Sequence, residues 1–109
     1  MSNHITIDFS NIGGPVYSGR PRGESLRSRF ELDLVDEGNG QVDIEVPEST
    51  YSVTSSFFLG LFGPSVVRAG SSEAFFRKYH FKAKPVLEKA FHDYASLALQ
   101  SKALFASKR

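Results

Sequence analysis

Between Gln41 and Gly63 the chain reads QVDIEVPESTYSVTSSFFLGLFG: an alternating apolar run, a short polar turn, then hydroxyl residues opening a strongly apolar stretch. Val42, Ile44 and Val46 recur with the period of a half-buried strand, and Pro47, which has no backbone N–H, ends it. From Ser55 to about Ala69, residues Phe58, Leu61, Phe62 and Val66 share one face of a helix whose N-cap is Thr54 or Ser55. A strand that feeds a helix in this way leaves the first helical N–H groups unpaired. It also sets the positive end of the helix dipole at the surface, where an anion, a phosphoryl group or a partner can be met. No residue at this tip belongs to a catalytic triad or a metal-ligand set, which favours binding or signalling over enzymatic chemistry.

The rest of the chain alternates in the same manner. Ile5, Ile7 and Phe9 alternate with Thr6 and Asp8 as a first strand, Asn11 to Pro15 supply turn residues, and Pro15 to Tyr17 suit a brief second strand within a loop reaching Pro21. Over Gly23 to Val35 a helix is favoured, because Leu26, Phe30 and Leu34 recur every four residues. Phe30, Leu32 and Leu34 also alternate, however, and the alternative is a hairpin strand turning through Glu37-Gly38-Asn39-Gly40. Pro64 predicts a kink or break around Gly60 to Gly63, since its ring crowds the carbonyl four residues earlier. Phe75 to Phe81 suits a third strand or the loop leading into one, and Pro85 opens a C-terminal helix through Leu87, Phe91, Tyr94, Ala98, Ala103 and Phe105. Strands alternating with helices, without repeats or linkers, predict one α/β domain over residues 1–109, a small mixed sheet with helices packed on it.

Composition narrows the function classes. With 40% apolar and 23% charged residues the chain is an ordinary globular sequence, and its formal net charge of +1 exerts no general pull toward nucleic acid or membrane. It has no cysteine, no signal-peptide pattern and no apolar run long enough to span a bilayer, so a cytoplasmic protein is expected. Ten phenylalanines are the one excess; Phe57, Phe58, Phe62, Phe75, Phe76 and Phe81 cluster as core or as a contact patch, core being the better reading.

At the joint, Thr54-Ser55-Ser56-Phe57-Phe58 after the strand QVDIEV resembles the STAS fold of anti-sigma-factor antagonists, where a strand is followed by Asp-Ser-Ser/Ala-Gly-Leu at a helix start. The chain resembles more closely the uncharacterised STAS-like group, which tends to show Ser-Ser-Phe here, a Phe-Gly pair later, matching Phe62-Gly63, and a Gly-Arg-rich loop entering an earlier helix, matching RPRGESLRSRF from Arg20 to Phe30. The resemblance covers roughly Arg20 to Phe81. It implies a STAS-like fold and a regulatory protein-binding role. The partner it implies is a histidine-kinase-like ATPase or anti-sigma-like factor, with Ser55 the candidate phosphorylation site and Tyr51, Thr54, Ser55, Ser56, Phe57 and Phe58 the partner-binding face. Two positions depart from the antagonist pattern: Thr54 stands in place of the acid, and Phe57 in place of the glycine. These departures bear on the modification more than on the surface.

Plainer readings compete with each of these. Thr54, Ser55 and Ser56 are sufficiently explained as helix caps. His4, His80 and His92 are too scattered for a metal site, and His92 beside Asp93 is not a dyad because helical neighbours diverge. Arg20, Arg22 and Arg27, with Arg29, are candidate contacts for a phosphate or an acidic partner, though they match no Walker or dinucleotide loop, and a solvated basic face is the default. A nucleic-acid-associated protein using Arg20 to Arg29 and the basic C-terminal residues Lys102, Lys108 and Arg109 is the alternative function. A second copy of the chain, meeting through the Phe-rich cluster, is the other candidate partner. No cofactor is implied.

Overall fold

Strands β1 (His4–Asp8), β3 (Gln41–Glu45) and β5 (Tyr79–Lys82) form a parallel sheet in the order β1-β3-β5. This computed structural model describes the backbone of residues 4–107 and the side chains of residues 4–100. The register places Ile5 beside Val42 and Tyr79, and Ile7 beside Ile44 and Phe81. On that face Ile7, Val42, Ile44 and Tyr79 are buried under the helices. The other face carries Thr6, Asp43 and His80 in one row and Asp8, Glu45 and Lys82 in the next, all half-buried or exposed. The strands alternate in sequence because one face is wet. The strand expected at QVDIEV is formed, over Gln41–Glu45, and is the central one of the three.

Two crossovers build the sheet. The first runs from β1 through the two-residue strand β2 (Val16–Tyr17), helix α1 (Arg20–Arg29) and helix α2 (Leu32–Glu37) into β3. The second runs through β4 (Ser52–Val53), α3 (Ser55–Ala69) and α4 (Ser72–Lys78) into β5, after which α5 (Pro85–Ser107) closes the domain. Strands β2 and β4 pair parallel in a small second sheet. α3 lies at the centre of the helical layer, with Phe57, Phe58, Leu61, Phe62 and Val66 all buried. Full burial of such side chains stabilises by roughly 1.5–3 kcal/mol each.

Three local expectations are corrected. α3 runs unbroken past Pro64, whose ring is exposed while both flanking segments are buried. The burial on either side outweighs the roughly 3 kcal/mol cost of an interior proline. The segment leading to Phe81 holds a helix before its strand: Ser71 accepts the Ala74 N–H at 3.1 Å and starts α4. The helix over Gly23 to Val35 begins earlier, at Arg20, and is split by Glu31 in the left-handed region (φ 55°) into α1 and α2, so the hairpin alternative is not formed. That break turns Leu34 out to 61% exposure and buries Leu32 instead.

Candidate functional site

The polar tip is assembled by the short β2–β4 ladder. Tyr17 pairs with Val53, and the Thr54 N–H donates to the Tyr17 carbonyl at 2.9 Å, so the chain leaves both strands side by side and enters α1 and α3 at the same end of the molecule. Thr54 is the N-cap of α3: its hydroxyl accepts the Phe57 N–H at 3.2 Å, while its carbonyl accepts the Phe58 N–H at 3.0 Å. Ser55 and Ser56 are therefore the first two helical residues, Ser55 half-buried and Ser56 exposed, and neither hydroxyl is used for the cap. Tyr51, just before β4, is 79% exposed, and its N–H donates to the Pro15 carbonyl at 2.8 Å.

The two helices meet through glycine. A Cβ on Gly23 would come within 2.3 Å of the Phe57 carbonyl, and one on Gly60 within 2.4 Å of the Arg20 carbonyl, so α1 and α3 touch backbone to backbone. This close approach fixes the two helix starts relative to one another. Below them the aromatic residues form a floor. Phe57 packs edge-on to Phe9 at 6.1 Å and against Tyr17 at 5.6 Å, and Phe58 stacks on Phe91 at 5.6 Å. The Tyr94 hydroxyl donates to the Val53 carbonyl at 2.9 Å and ties α5 to the joint.

Several residues expected at a contact surface lie elsewhere. Phe57 and Phe58 are fully buried and cannot touch a partner; their rings support the tip from beneath. Phe62 and Phe75 of the Phe-rich cluster are buried in the same way, whereas Phe76 and Phe81 are half-buried. Arg22 is half-buried, its guanidinium 5.2 Å from the Tyr17 ring centroid and donating to the carbonyls of Gly13 at 2.7 Å and Val16 at 3.3 Å, which closes the loop ahead of α1. Arg27 is buried and turned inward. It donates to the Leu61 carbonyl at 2.9 Å, the Ser65 hydroxyl at 2.8 Å, Asp33 at 2.7 Å and Asp36 at 3.1 Å. Of the three arginines, Arg20 alone remains an exposed candidate contact. Lys108 and Arg109, and the side chain of Lys102, lie outside the described residues.

The inward arginine reveals a polar centre that sequence reading missed. The Asp36 side chain is 4% exposed and accepts from Ser65 at 2.5 Å and from the Tyr79 hydroxyl at 2.6 Å, besides Arg27. Burial, and then the hydrogen bond to Asp36, push the Tyr79 phenol far above its ordinary value, so it is a fixed donor at any physiological pH. Every buried polar side-chain atom among the described residues has a partner. The arrangement is a lock holding α1, α2, α3 and β5 together. Asp36 gave no signal in the sequence because it sits among the acidic surface residues Asp33 and Glu37.

The histidines are also less scattered than their positions suggest. His4 hydrogen-bonds Asp43, and His80 Nδ1 lies 3.5 Å from the same carboxylate, while His80 Nε2 meets the Arg77 carbonyl at 2.8 Å. Asp43's outward place in the β3 alternation was the available signal. Among the described residues no group of three or more His, Asp or Glu is arranged to hold a metal ion. His92 stacks on Phe76 at 4.0 Å, and no described helix is long and apolar enough to cross a membrane. Compared with known proteins, the chain matches no family model, no curated protein and no solved structure.

Proposed function

We propose that this chain is a non-enzymatic regulatory domain of STAS-like type that binds another protein through the tip formed by Tyr51, Thr54, Ser55, Ser56 and the exposed Arg20. The observation that carries the reading is the division of labour at the start of α3. Thr54 does the capping, so the Ser55 and Ser56 hydroxyls sit in the first turn without that structural duty. A phosphoryl group there is favoured within the chain by the helix N-terminus. The same group, at roughly −2 charge, would be repelled or poorly desolvated at a partner's acidic or apolar surface. The partner class follows from the resemblance of the Ser-Ser-Phe joint to the anti-sigma-factor antagonists: an ATP-binding kinase of the histidine-kinase-like type.

Affinity purification from the native cell, followed by titration, tests this reading. A histidine-kinase-like ATPase is expected in the eluate, with Ser55→Asp weakening that complex about tenfold or more (a change of about 1.4 kcal/mol) while the circular dichroism spectrum stays unchanged. Equal affinity for Ser55→Asp would remove Ser55 from the switch. Recovery of nucleic acid in place of a protein partner, with binding that falls steeply as salt rises, would overturn the protein-binding role itself.

A further inference from the structure

We propose that the chain pairs with a second copy of itself along the open edge of β1, the two strands antiparallel and centred on Thr6, so that two three-stranded sheets become one of six. β1 is an edge of the sheet, bonded to β3 on one side, and among the described residues no other strand pairs with it; at its end Asp8 caps the short 3-10 helix Phe9–Asn11. An edge strand offers a row of N–H and C=O groups to another strand, and proteins usually blunt such edges with lysine, proline or a bulge. β1, reading HITID, carries no lysine or proline, whereas β5 at the opposite edge ends in Lys82.

The apolar surface follows the same edge. Ile5 is on the helix-facing side, in register with the buried Val42 and Tyr79, yet it is 40% exposed. It lines an open groove of about 340 Å³ with Leu34 and Val35 of α2, and Leu34 is 61% exposed. Both side chains lack the cover that their neighbours in the core have.

The strand's own order selects the occupant. In an antiparallel pair centred on Thr6, Ile5 faces Ile7 of the second copy, Thr6 faces Thr6, and His4 at one end faces Asp8 at the other. The two central matches are favourable kinds, aliphatic with aliphatic and hydroxyl with hydroxyl, while the outer pair keeps its bonds within the chain, His4 to Asp43 and Asp8 to Ser10. The two-fold axis passes through the Thr6 pair and repeats the Ile5–Ile7 match on either side of it, as an isologous contact requires. An unrelated peptide could satisfy the main chain of this edge but has no reason to match its side chains. An interface of one five-residue strand and a flanking groove belongs to the small class, below roughly 1,200 Å², and so forms with rising concentration.

Sedimentation equilibrium of the full chain tests the pairing. The apparent mass should rise from 12.1 kDa toward twice that value as the concentration approaches roughly millimolar. Thr6→Glu and Thr6→Lys, each with like charges facing across the axis, should remain monomeric, and an equimolar mixture of the two should recover the dimer. Thr6 is exposed, so both variants are expected to keep the wild-type circular dichroism spectrum. Should either fail to fold, Ile5→Lys serves instead and is expected to be monomeric. A wild-type mass that stays at the monomer value throughout, a dimer that persists in folded Thr6→Glu or Ile5→Lys, or folded Thr6 variants that do not associate on mixing would each overturn the proposal.

Discussion

Gly60 and Gly63 lie three residues apart on α3 and meet opposite surroundings. A methyl group on Gly60 would collide with the backbone of α1, whereas one on Gly63 would rest 3.8 Å from the Leu59 side chain, an ordinary contact. Gly60→Ala is therefore expected to lose roughly 1–3 kcal/mol by overpacking. Gly63→Ala is expected to gain about 1 kcal/mol by replacing a helical glycine. Urea unfolding reads both as shifts of the midpoint in opposite directions; equal shifts would contradict the backbone contact. In the sequence the two glycines look alike, as does the Arg22/Arg27 pair. Only the docking of α1 on α3 separates a glycine that is needed from one that is incidental, and an arginine at the surface from one in the core. The N-cap differs, since it depends on chemistry within one turn, and the run Thr54-Ser55-Ser56 shows it directly.

Elements whose signals are local are legible, and elements set by competition are not. β1, β3, α3 and α5 follow from alternation, a cap or Pro85, all contained in a few residues. The α1–α2 break requires Glu31 to enter the left-handed region, which nothing in RFELDL announces, and α4 is hidden because its aromatic residues suit a strand equally well. Across the three main strands, the polar row of Thr6, Asp43 and His80 has its own consequence for stability. The His4 hydrogen bond, outweighing partial desolvation and assisted by the charges of His4, His80 and Lys82, holds the Asp43 carboxyl below the usual carboxylate range. A depressed carboxyl contributes stability that is present above the value it has in the unfolded chain, about pH 4, and is lost as pH falls through the lower folded value. Asp43→Asn should therefore flatten the acid limb of the stability profile measured by thermal melts from pH 6 downward; an unchanged acid limb would assign that limb to other carboxylates, such as Asp8 with its Ser10 bonds.

For the molecule as a whole, two kinds of cement hold the helical layer: the aromatic floor under the joint and the Arg27–Asp36–Ser65–Tyr79 lock behind it. Removing one member of a buried ion pair leaves its partner uncompensated, so Arg27→Ala should cost about 3–5 kcal/mol. Chemical denaturation measures this loss, and a change below about 1 kcal/mol, the ordinary yield of an exposed pair, would place Arg27 at the surface. The lock and the glycine crossing together bear on the switch proposed at Ser55. Because α1 and α3 are joined backbone to backbone, the tip has no hinge between its two halves, and the rings beneath it are packed without a free side. A charge placed on Ser55 then has nothing to push. On the proposed function, such a mark would act at the spot where it is written, as a local field that a partner meets on arrival, the domain serving as a rigid key whose cut is altered by one mark instead of a lever that moves.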